Sequence, residues 1–359
     1  MTDTRLPVLV VSGFLGSGKT TLLREALHDP RWQRSLVIVN EAAELGIDDQ
    51  LLRPAAGTPV RLLQNGCLCC AVQSDLKRTL LETVDDPALT PRVDRIVIET
   101  SGLADPVSVI ASLSAHPRLS GRLRLQAVVT TVDALHAEVQ LDESPEFTAQ
   151  VQCADMLILT KQDVAVAEQV ERVARLLRSM NPMAAIVGRN DGIVDELLHA
   201  SSRFTTERFA SQWLASTVAD PVGDGYVRLS PLAGVHGRNR HTRGVVAFAV
   251  TAKRRVDWVL FSTWLSLLVH AHGQRLLRIK GLLEVADDEP PIVVNVVRHV
   301  VHFPEHLAEP PFDRCGSCLV FLVRDLEPAD IRRSLSAFVG ECFTTTCQSS
   351  AMTLDAAGH

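Results

Sequence analysis

The chain has 359 residues, of which 46% are hydrophobic, and a formal net charge of −6. Because one hydrophobic core rarely organises more than about 300 residues, we expect two domains. The negative charge argues against nucleic acid as a main partner, since nucleic-acid binding needs a positive surface. No stretch approaches the roughly 18 apolar residues of a membrane span, and the N-terminus lacks a secretory signal pattern. We therefore expect a soluble, cytoplasmic protein with no membrane partner, whose eight cysteines are metal ligands, reactive thiols or core residues.

The first 200 residues alternate short apolar runs with amphipathic segments. The apolar runs predict strands over 6–11, 35–39, 60–63, 93–98, 125–132 and 156–159. Helical spacing predicts helices over 21–27, 74–84, 106–115, 147–154 and 164–180. This alternation indicates an α/β fold with a doubly wound, mostly parallel sheet. Ligands of such sheets bind at the carboxyl ends of the strands.

The second part of the chain has a different pattern. Residues 201–243 are rich in Ser, Thr, Gly, Pro and Arg with weak periodicity, which predicts a linker. Beyond it, strands are predicted over 244–251, 275–286, 291–303 and 318–324, and helices over 256–270 and 328–339. We expect a nucleotide-binding domain over 1–200, a linker over 201–243, and a small α+β domain with an antiparallel sheet over 244–345.

A phosphate-binding loop follows the first predicted strand. Residues 13–20 read Gly-Phe-Leu-Gly-Ser-Gly-Lys-Thr, which has the G-x-x-x-x-G-K-[ST] spacing and lies between a strand and a helix. Glycines let backbone N–H groups surround a polyphosphate, Lys19 would reach the β- and γ-phosphates, and the Thr20 hydroxyl would bind Mg²⁺. The candidate nucleotide and catalytic residues here are Gly13, Gly16, Ser17, Gly18, Lys19, Thr20 and Thr21.

Two further motifs follow predicted strands in the order found in GTPases. Residues 99–102, Glu-Thr-Ser-Gly, have the D-x-x-G spacing of a nucleotide switch, with Glu99 placed to hold Mg²⁺ and Gly102 to sense the γ-phosphate. Residues 160–163, Thr-Lys-Gln-Asp, have the [NT]-K-x-D form of a guanine-binding turn. The Asp163 carboxylate can accept hydrogen bonds from the guanine N1–H and N2 amine, and the stem of Lys161 can lie along the base. The sequence therefore favours GTP over ATP.

Three cysteines lie within four residues in a polar loop. Cys67, Cys69 and Cys70 follow Asn-Gly after the predicted strand 60–63. Thiolates in this number favour a soft metal, Zn²⁺ in particular, and leave one coordination position open for transfer. The alternatives are a redox pair or small core residues.

These motifs together resemble the CobW-type metallochaperone GTPases, including nitrile hydratase activators. The resemblance rests on residues 13–23, 66–70, 99–106 and 160–163, and on the R-x-K-G segment within 276–281, and it covers nearly the whole chain. It implies a slow GTPase that binds Zn²⁺ through Cys67, Cys69 and Cys70 and couples GTP to metal transfer into a client protein. Glu41 and Glu44 match acids of the family's N-E-F-G-E segment, although Ala42 and Ala43 replace Phe-Gly.

Several points stay open at this stage. Cys315 and Cys318, in C-x-x-C spacing, could form a second zinc site completed by Cys342 and Cys347; the alternative is that Cys318, which opens an apolar strand, is a core residue. The metal could be Co²⁺, for cobalamin synthesis or nitrile hydratase activation, because thiolates bind both ions in similar geometry. A different class is a small-molecule P-loop kinase whose cysteines are structural. The client protein is unspecified, and a homodimer is left open.

Overall fold

The computed structural model describes residues 4–39, 60–62, 69–87, 92–114, 116–189, 192–203, 221–222, 226–229, 244–252, 254–285, 290–306, 316–340 and 343. Within them, one sheet has seven parallel strands in the order β3-β2-β4-β1-β5-β6-β7. The strands are β1 (Leu6–Gly13), β2 (Ser35–Val39), β3 (Val60–Leu62), β4 (Arg95–Glu99), β5 (Leu123–Asp133), β6 (Met156–Thr160) and β7 (Ala185–Gly188). Their central strands read as nearly continuous Val, Ile and Leu because both faces of the sheet are buried.

Helices cover both faces of this parallel sheet. They are α1 (Lys19–His28), a 3₁₀ turn (Pro30–Trp32), α2 (Cys69–Asp85), α3 (Pro106–Ser114), α4 (Pro117–Ser120), α5 (Ala137–Glu143), α6 (Pro145–Cys153), α7 (Ala167–Met180) and α8 (Ile193–Arg203). Val8 and Val10 of β1 pack in one cluster with apolar residues of α2 and α3. Leu9 and Val11 pack on the opposite face with α1 and α8. The alternation of side chains along β1 thus supplies two cores.

A second, antiparallel sheet follows in the order β13-β12-β11-β15-β10-β9-β8, with β14 paired to β12. Its strands are β8 (Pro221–Val222), β9 (Tyr226–Leu229), β10 (Val245–Ala252), β11 (Leu276–Leu283), β12 (Ile292–Val297), β13 (Val300–Val301), β14 (Glu305–His306) and β15 (Ser317–Arg324). Helices α9 (Trp258–His272) and α10 (Pro328–Val339) pack with this sheet into one apolar core. In this core the rings of Phe248 and Phe321 stack with their centroids 5.0 Å apart.

The predicted fold class is confirmed: a doubly wound parallel sheet is followed by a small α+β unit. The element prediction omitted β7, α4, α5 and α8, and it differs from the structure at further places. The predicted strand 291–303 is two strands, β12 and β13, separated by a turn at Arg298 and His299. The predicted linker 201–243 contains β8 and β9, and β9 pairs with β10. Helix α2 begins at Cys69 rather than at residue 74. No helix in the described part of the chain has the length and apolar character needed to cross a membrane.

Candidate nucleotide site

The loop between β1 and α1 has the backbone of an anion-binding site. Gly16 and Gly18 adopt left-handed φ angles of 69° and 93°, and Gly18 is the N-cap residue of α1. Gly13 is required for a different reason, since a Cβ atom there would lie 2.5 Å from the backbone oxygen of Thr131. Residues with side chains fit poorly at these positions. The sequence between β1 and α1 therefore closes the loop over the N-terminus of α1, where a phosphate is favoured.

Lys19 is turned back over this loop. Its side chain is 9% exposed, and its ammonium group donates hydrogen bonds to the backbone oxygens of Gly13 and Phe14, at 2.9 and 3.1 Å. The side chain of Ser17 is fully buried and exchanges a hydrogen bond of 2.7 Å with the Thr131 hydroxyl. Ser17 thus fixes the loop to β5. The Lys19 ammonium group, in contrast, can give up its hydrogen bonds to these backbone oxygens and bind phosphate oxygens instead.

The two predicted magnesium ligands are in contact. The Thr20 hydroxyl donates a 2.8 Å hydrogen bond to Glu99, which lies at the carboxyl end of β4 and is 4% exposed. A hydroxyl and a carboxylate are the hard oxygen ligands that Mg²⁺ prefers. Both residues line a cavity of about 310 Å³, together with Leu15, Gly16, Gly18, Lys19, Thr21, Val39, Thr100, Ser101 and Gly102. The donor set at this cavity therefore fits a magnesium-bound polyphosphate.

The loop after β4 lies directly against the phosphate-binding loop. A Cβ atom at Gly102 would lie 2.8 Å from the backbone nitrogen of Leu15, so this close approach requires glycine. The side-chain amide of Gln150, which is fully buried on α6, donates to the backbone oxygens of Gly102 and Ala104 at 3.0 and 3.1 Å. We call residues 99–105 the switch loop. Its contacts place Gly102 at the cavity where the γ-phosphate is expected.

The predicted guanine-binding turn lies beside the same loop. The Thr160 hydroxyl donates to the Ser17 backbone oxygen at 2.9 Å. Lys161 has a left-handed φ of 57°, and its ammonium group donates to buried Asp133 at 2.7 Å. Burial alone would raise the pKa of Asp133, but hydrogen bonds from Lys161 and His136 outweigh it and keep that pKa below the usual value. Asp163 is exposed, as a base-reading residue must be before the base binds.

The predicted metal ligands are mostly outside the described residues. Those outside are Glu41, Glu44, Cys67, Cys315, Cys342 and Cys347. Cys69 and Cys70 are the first two residues of α2. Cys318 lies on β15, half-buried and opposite Thr251 of β10. Among the side chains that the structure describes, no group of three His, Cys, Asp or Glu residues could hold a metal. Both zinc sites therefore remain predictions.

Three contributors to the site were not predicted from the sequence. Thr131 and Asp133 lie at the end of β5, and their signal was their position at a strand's carboxyl end. Gln150 lies inside an amphipathic helix, and only its complete burial reveals its role. None of these residues belongs to a short motif. Each forms its hydrogen bonds with a loop that is distant in the sequence.

Two family profiles match the chain. The profile of the CobW/HypB/UreG nucleotide-binding domain matches residues 7–188, and that of the cobalamin synthesis protein CobW C-terminal domain matches residues 245–339. These ranges correspond to the parallel sheet and to most of the antiparallel one. The two matches cover both structural units in the order in which they occur.

Relatives with known names agree with the profiles. The chain is 37% identical over 191 residues to the zinc chaperone YjiA of Escherichia coli, which covers 53% of this chain and 59% of that protein. It is 38% identical over 214 residues to the zinc chaperone CobW of Pseudomonas aeruginosa, covering 51% and 56%. In these matches the chain spans a little over half of the relative's length. A zinc chaperone CobW of a Sinorhizobium species is 33% identical over 365 residues, covering 93% of this chain and 98% of that one.

Solved structures show the same architecture. The crystal structure of zinc-bound YjiA GTPase from Escherichia coli aligns with a TM-score of 0.63 and 25% identity, covering 94% of this chain and 99% of that one. A zinc-bound triple mutant of the YjiA GTPase aligns with a TM-score of 0.62. Both sheets of this chain thus have counterparts in that protein.

Proposed function

This chain belongs to the CobW family of P-loop GTPases, and we propose that it is a metallochaperone that couples GTP binding and hydrolysis to delivery of Zn²⁺ to a client protein. The observation that supports the proposal is the contact between Thr20 and Glu99 in a cavity lined by the phosphate-binding loop and the switch loop. The Thr160 hydroxyl, at the start of the turn 160–163, donates to the Ser17 backbone oxygen of the same phosphate-binding loop. The predicted triphosphate site and the predicted guanine-reading turn would thus lie at one edge of one sheet.

Nucleotide binding would follow from groups that are already oriented. The triphosphate takes the place of the Gly13 and Phe14 backbone oxygens on Lys19, and the amides of the loop supply the remaining donors. Thr20 and Glu99 would hold Mg²⁺, which neutralises charge on the β- and γ-phosphates. Lys161, held by Asp133, lies beside the base, while Asp163 accepts from its N1–H and N2 amine. Guanine is selected because adenine would leave that carboxylate unpaired.

Hydrolysis by this site needs positioning rather than a strong base. Lys19 and the loop amides are aimed where charge develops on the transferred phosphoryl group. Gly102, where a side chain would collide with Leu15, would offer its backbone N–H to the γ-phosphate. Nothing in the described cavity supplies an additional cation of the arginine-finger kind among its lining residues. We therefore expect a slow basal rate that a partner or the metal could raise.

The metal half of the proposal rests on Cys67, Cys69 and Cys70, with Glu41 and Glu44 as further ligands by family resemblance. The backbone supports this arrangement at two points. Strands β2 and β3 are parallel neighbours whose carboxyl ends lie at the edge of the sheet that carries the nucleotide cavity, and Val39 at the end of β2 lines that cavity. Cys69 and Cys70 open α2, the helix that follows β3. A nucleotide that rearranges this edge can therefore change the affinity of the thiols for zinc.

The experiment that tests the proposal measures two activities on reduced protein. Phosphate release from GTP with Mg²⁺ is compared between wild type and Lys19→Met, and Zn²⁺ affinity is measured by competition with a chromophoric chelator in GDP or a non-hydrolysable GTP analogue. We expect GTP hydrolysis that requires Lys19, and zinc affinities that differ several-fold between the nucleotides. The Cys67→Ser, Cys69→Ser, Cys70→Ser triple variant should lose zinc and keep GTP binding.

The same assays decide against the proposal when they give other results. Zinc that binds equally with both nucleotides, or survives loss of the three cysteines, would refute nucleotide-gated metal transfer. ATP preference with a phosphorylated small-molecule product would instead establish a kinase. Repeating the chelator competition with Co²⁺ separates the two metals, and a tighter cobalt complex in the GTP state would replace zinc as the cargo.

A further inference from the structure

The turn between β12 and β13 holds an arginine in an unfavourable backbone conformation. Val297 pairs with Val300, so Arg298 and His299 form a two-residue turn, in which Arg298 has a φ of 51°. Gly, Asn or Asp usually occupies such a position, because a larger side chain disfavours left-handed φ. An arginine in this conformation suggests that its side chain has another role.

That side chain contacts the end of the switch loop. The Arg298 guanidinium donates to one carboxylate oxygen of Asp105 at 2.8 Å. The other carboxylate oxygen of Asp105 accepts from the Val107 backbone N–H at 3.0 Å, so Asp105 also caps the beginning of α3. Side-chain exposures of 27% for Arg298 and 37% for Asp105 make the pair partly shielded from solvent. One carboxylate thus joins the switch loop, α3 and the second sheet.

Apolar packing holds the turn in place against α3. Val297 and Val300, on either side of the turn, are 0% and 5% exposed. Both belong to the apolar cluster that contains Val107 and Ile110 of α3. Because the strands that flank Arg298 are fixed to the helix that follows the switch loop, the ion pair has little freedom to form elsewhere.

A second connection runs through α6. Gln150 grips the switch loop at Gly102 and Ala104, as described above. Three residues later, the backbone oxygen of Cys153 accepts a hydrogen bond from Arg278 of β11. Less than one helical turn therefore separates the contact with the switch loop from the contact with the second sheet.

We propose that Arg298 is a positioning residue for the switch loop, through which the second sheet and the bound nucleotide influence each other. The proposal rests on the proposed GTP site. If the loop moves when Gly102 meets a γ-phosphate, Asp105 moves relative to Arg298, and the strength of the ion pair differs between the GDP and GTP states. By linkage, a partner that displaces the β12–β13 turn changes the ratio of GTP to GDP affinities, and exchanging GDP for GTP changes the affinity for that partner by the same factor.

The test compares Arg298→Asn with Asp105→Asn and their double variant in the full chain. Asparagine tolerates the left-handed turn at 298, and at 105 it keeps an oxygen for the cap of α3, so both changes remove the ion pair with little cost to folding. The matched control is Arg34→Asn, which breaks an exposed bidentate pair with Asp94, at the opposite end of β4 from the switch loop. Arg298→Lys should restore part of the effect by keeping the charge.

The readout is the ratio of affinities for a non-hydrolysable GTP analogue and GDP, with amide hydrogen exchange of residues 292–301 in each nucleotide. We expect each single variant to change the ratio about 2- to 5-fold, the range for a partly exposed ion pair, and the double variant to add nothing further. Wild type should show nucleotide-dependent exchange in 292–301, and Arg298→Asn should lose it. Arg34→Asn should match wild type in both readouts.

Distinct outcomes separate this inference from the proposed function. If wild type binds and hydrolyses GTP but Arg298→Asn leaves the affinity ratio and the exchange difference intact, the inference is overturned and the GTPase assignment stands. The inference is also overturned if Arg34→Asn changes the affinity ratio and the exchange difference as much as Arg298→Asn does. A wild-type chain that binds no GTP overturns both proposals together.

Discussion

A buried carboxylate at the contact between the two sheets gives the sharpest stability prediction. Asp155 lies just before β6, and its side chain is 5% exposed. It accepts from Arg278 and, at 3.2 Å, from Lys280, while its second oxygen accepts from the Val128 backbone N–H at 2.8 Å. Arg278 and Lys280 are themselves 1% and 3% exposed. Two buried cations therefore share this carboxylate.

Replacing Asp155 by asparagine keeps the shape and one acceptor but removes the charge. The loss removes the carboxylate that Arg278 and Lys280 share, and breaking a buried ion pair in this way costs about 3–5 kcal/mol. That is a large share of the roughly 5–15 kcal/mol by which domains are stable. We expect the Asp155→Asn variant to show a correspondingly lower urea midpoint.

The pH dependence of this deficit has a definite sign. Burial acts to raise the pKa of Asp155, but the charges of Arg278 and Lys280 and the Val128 N–H outweigh it, so the folded-state pKa lies below the ordinary 3.8. A carboxyl group with a depressed pKa stabilises the fold above its unfolded pKa and loses that contribution as pH falls through the folded value. The difference between wild type and variant should be full at pH 6–7 and shrink below about pH 4.

The assay is urea denaturation of the full chain followed by far-ultraviolet circular dichroism at several pH values. Asp94→Asn is the matched control, because Asp94 pairs with Arg34 at the surface and should cost only about 0.2–1 kcal/mol. A deficit for Asp155→Asn below about 1 kcal/mol, or one no larger than that of the control, would show that the buried cations are satisfied without Asp155 and would refute the argument.

Three further predictions concern single side chains. Burial, only partly offset by Asp155, lowers the pKa of Lys280 from 10.5 to about 8. The free energy of unfolding of the wild type therefore increases as pH rises from 8 to 10.5. By urea denaturation, Lys280→Met should be at least as stable as wild type at pH 7. Between pH 8 and 10.5, the stability of the variant relative to wild type should fall. Glu99→Gln should lower phosphate release about 10- to 100-fold, and excess Mg²⁺ should recover part of it. In a nucleotide-competition assay, Asp163→Asn should lower the affinity for GTP at least about 10-fold. The variant should instead favour xanthosine triphosphate, whose O2 can accept a hydrogen bond from the new amide. Unchanged GTP affinity would exclude this base contact.

The nucleotide cavity could be predicted from the sequence because its parts are local. The loop at 13–20, the switch loop and the turn at 160–163 each follow an apolar strand, and a parallel sheet brings the carboxyl ends of its strands to one edge. The structure places Glu99 beside Thr20 although 79 residues separate them. Topology, rather than any long-range sequence signal, made that contact predictable.

The contacts between the sheets could not be predicted in this way. Arg278 and Lys280 were recognised as a motif, but nothing near them in the sequence points to Asp155, which lies 125 residues from Lys280. The turn at Arg298 was missed because residues 292–301 read as one apolar strand, and the turn positions themselves, Arg298 and His299, are not the Gly, Asn or Asp that normally marks a two-residue hairpin. At this turn Arg298 contacts Asp105, 193 residues away in the sequence, and a local pattern cannot show such a partner.

The two kinds of contact between the sheets have different consequences. Val297 and Val300 contribute non-directional apolar burial, which tolerates small displacements with little change in energy. The pairs of Arg298 with Asp105 and of Arg278 with Asp155 are directional, and a buried ion pair is a poor source of stability compared with apolar packing. What directional pairs add is dependence on geometry: a shift of the switch loop changes one pair without dissolving the interface. An interface built from apolar packing alone would hold the two sheets together equally well but would transmit little of the nucleotide state between them.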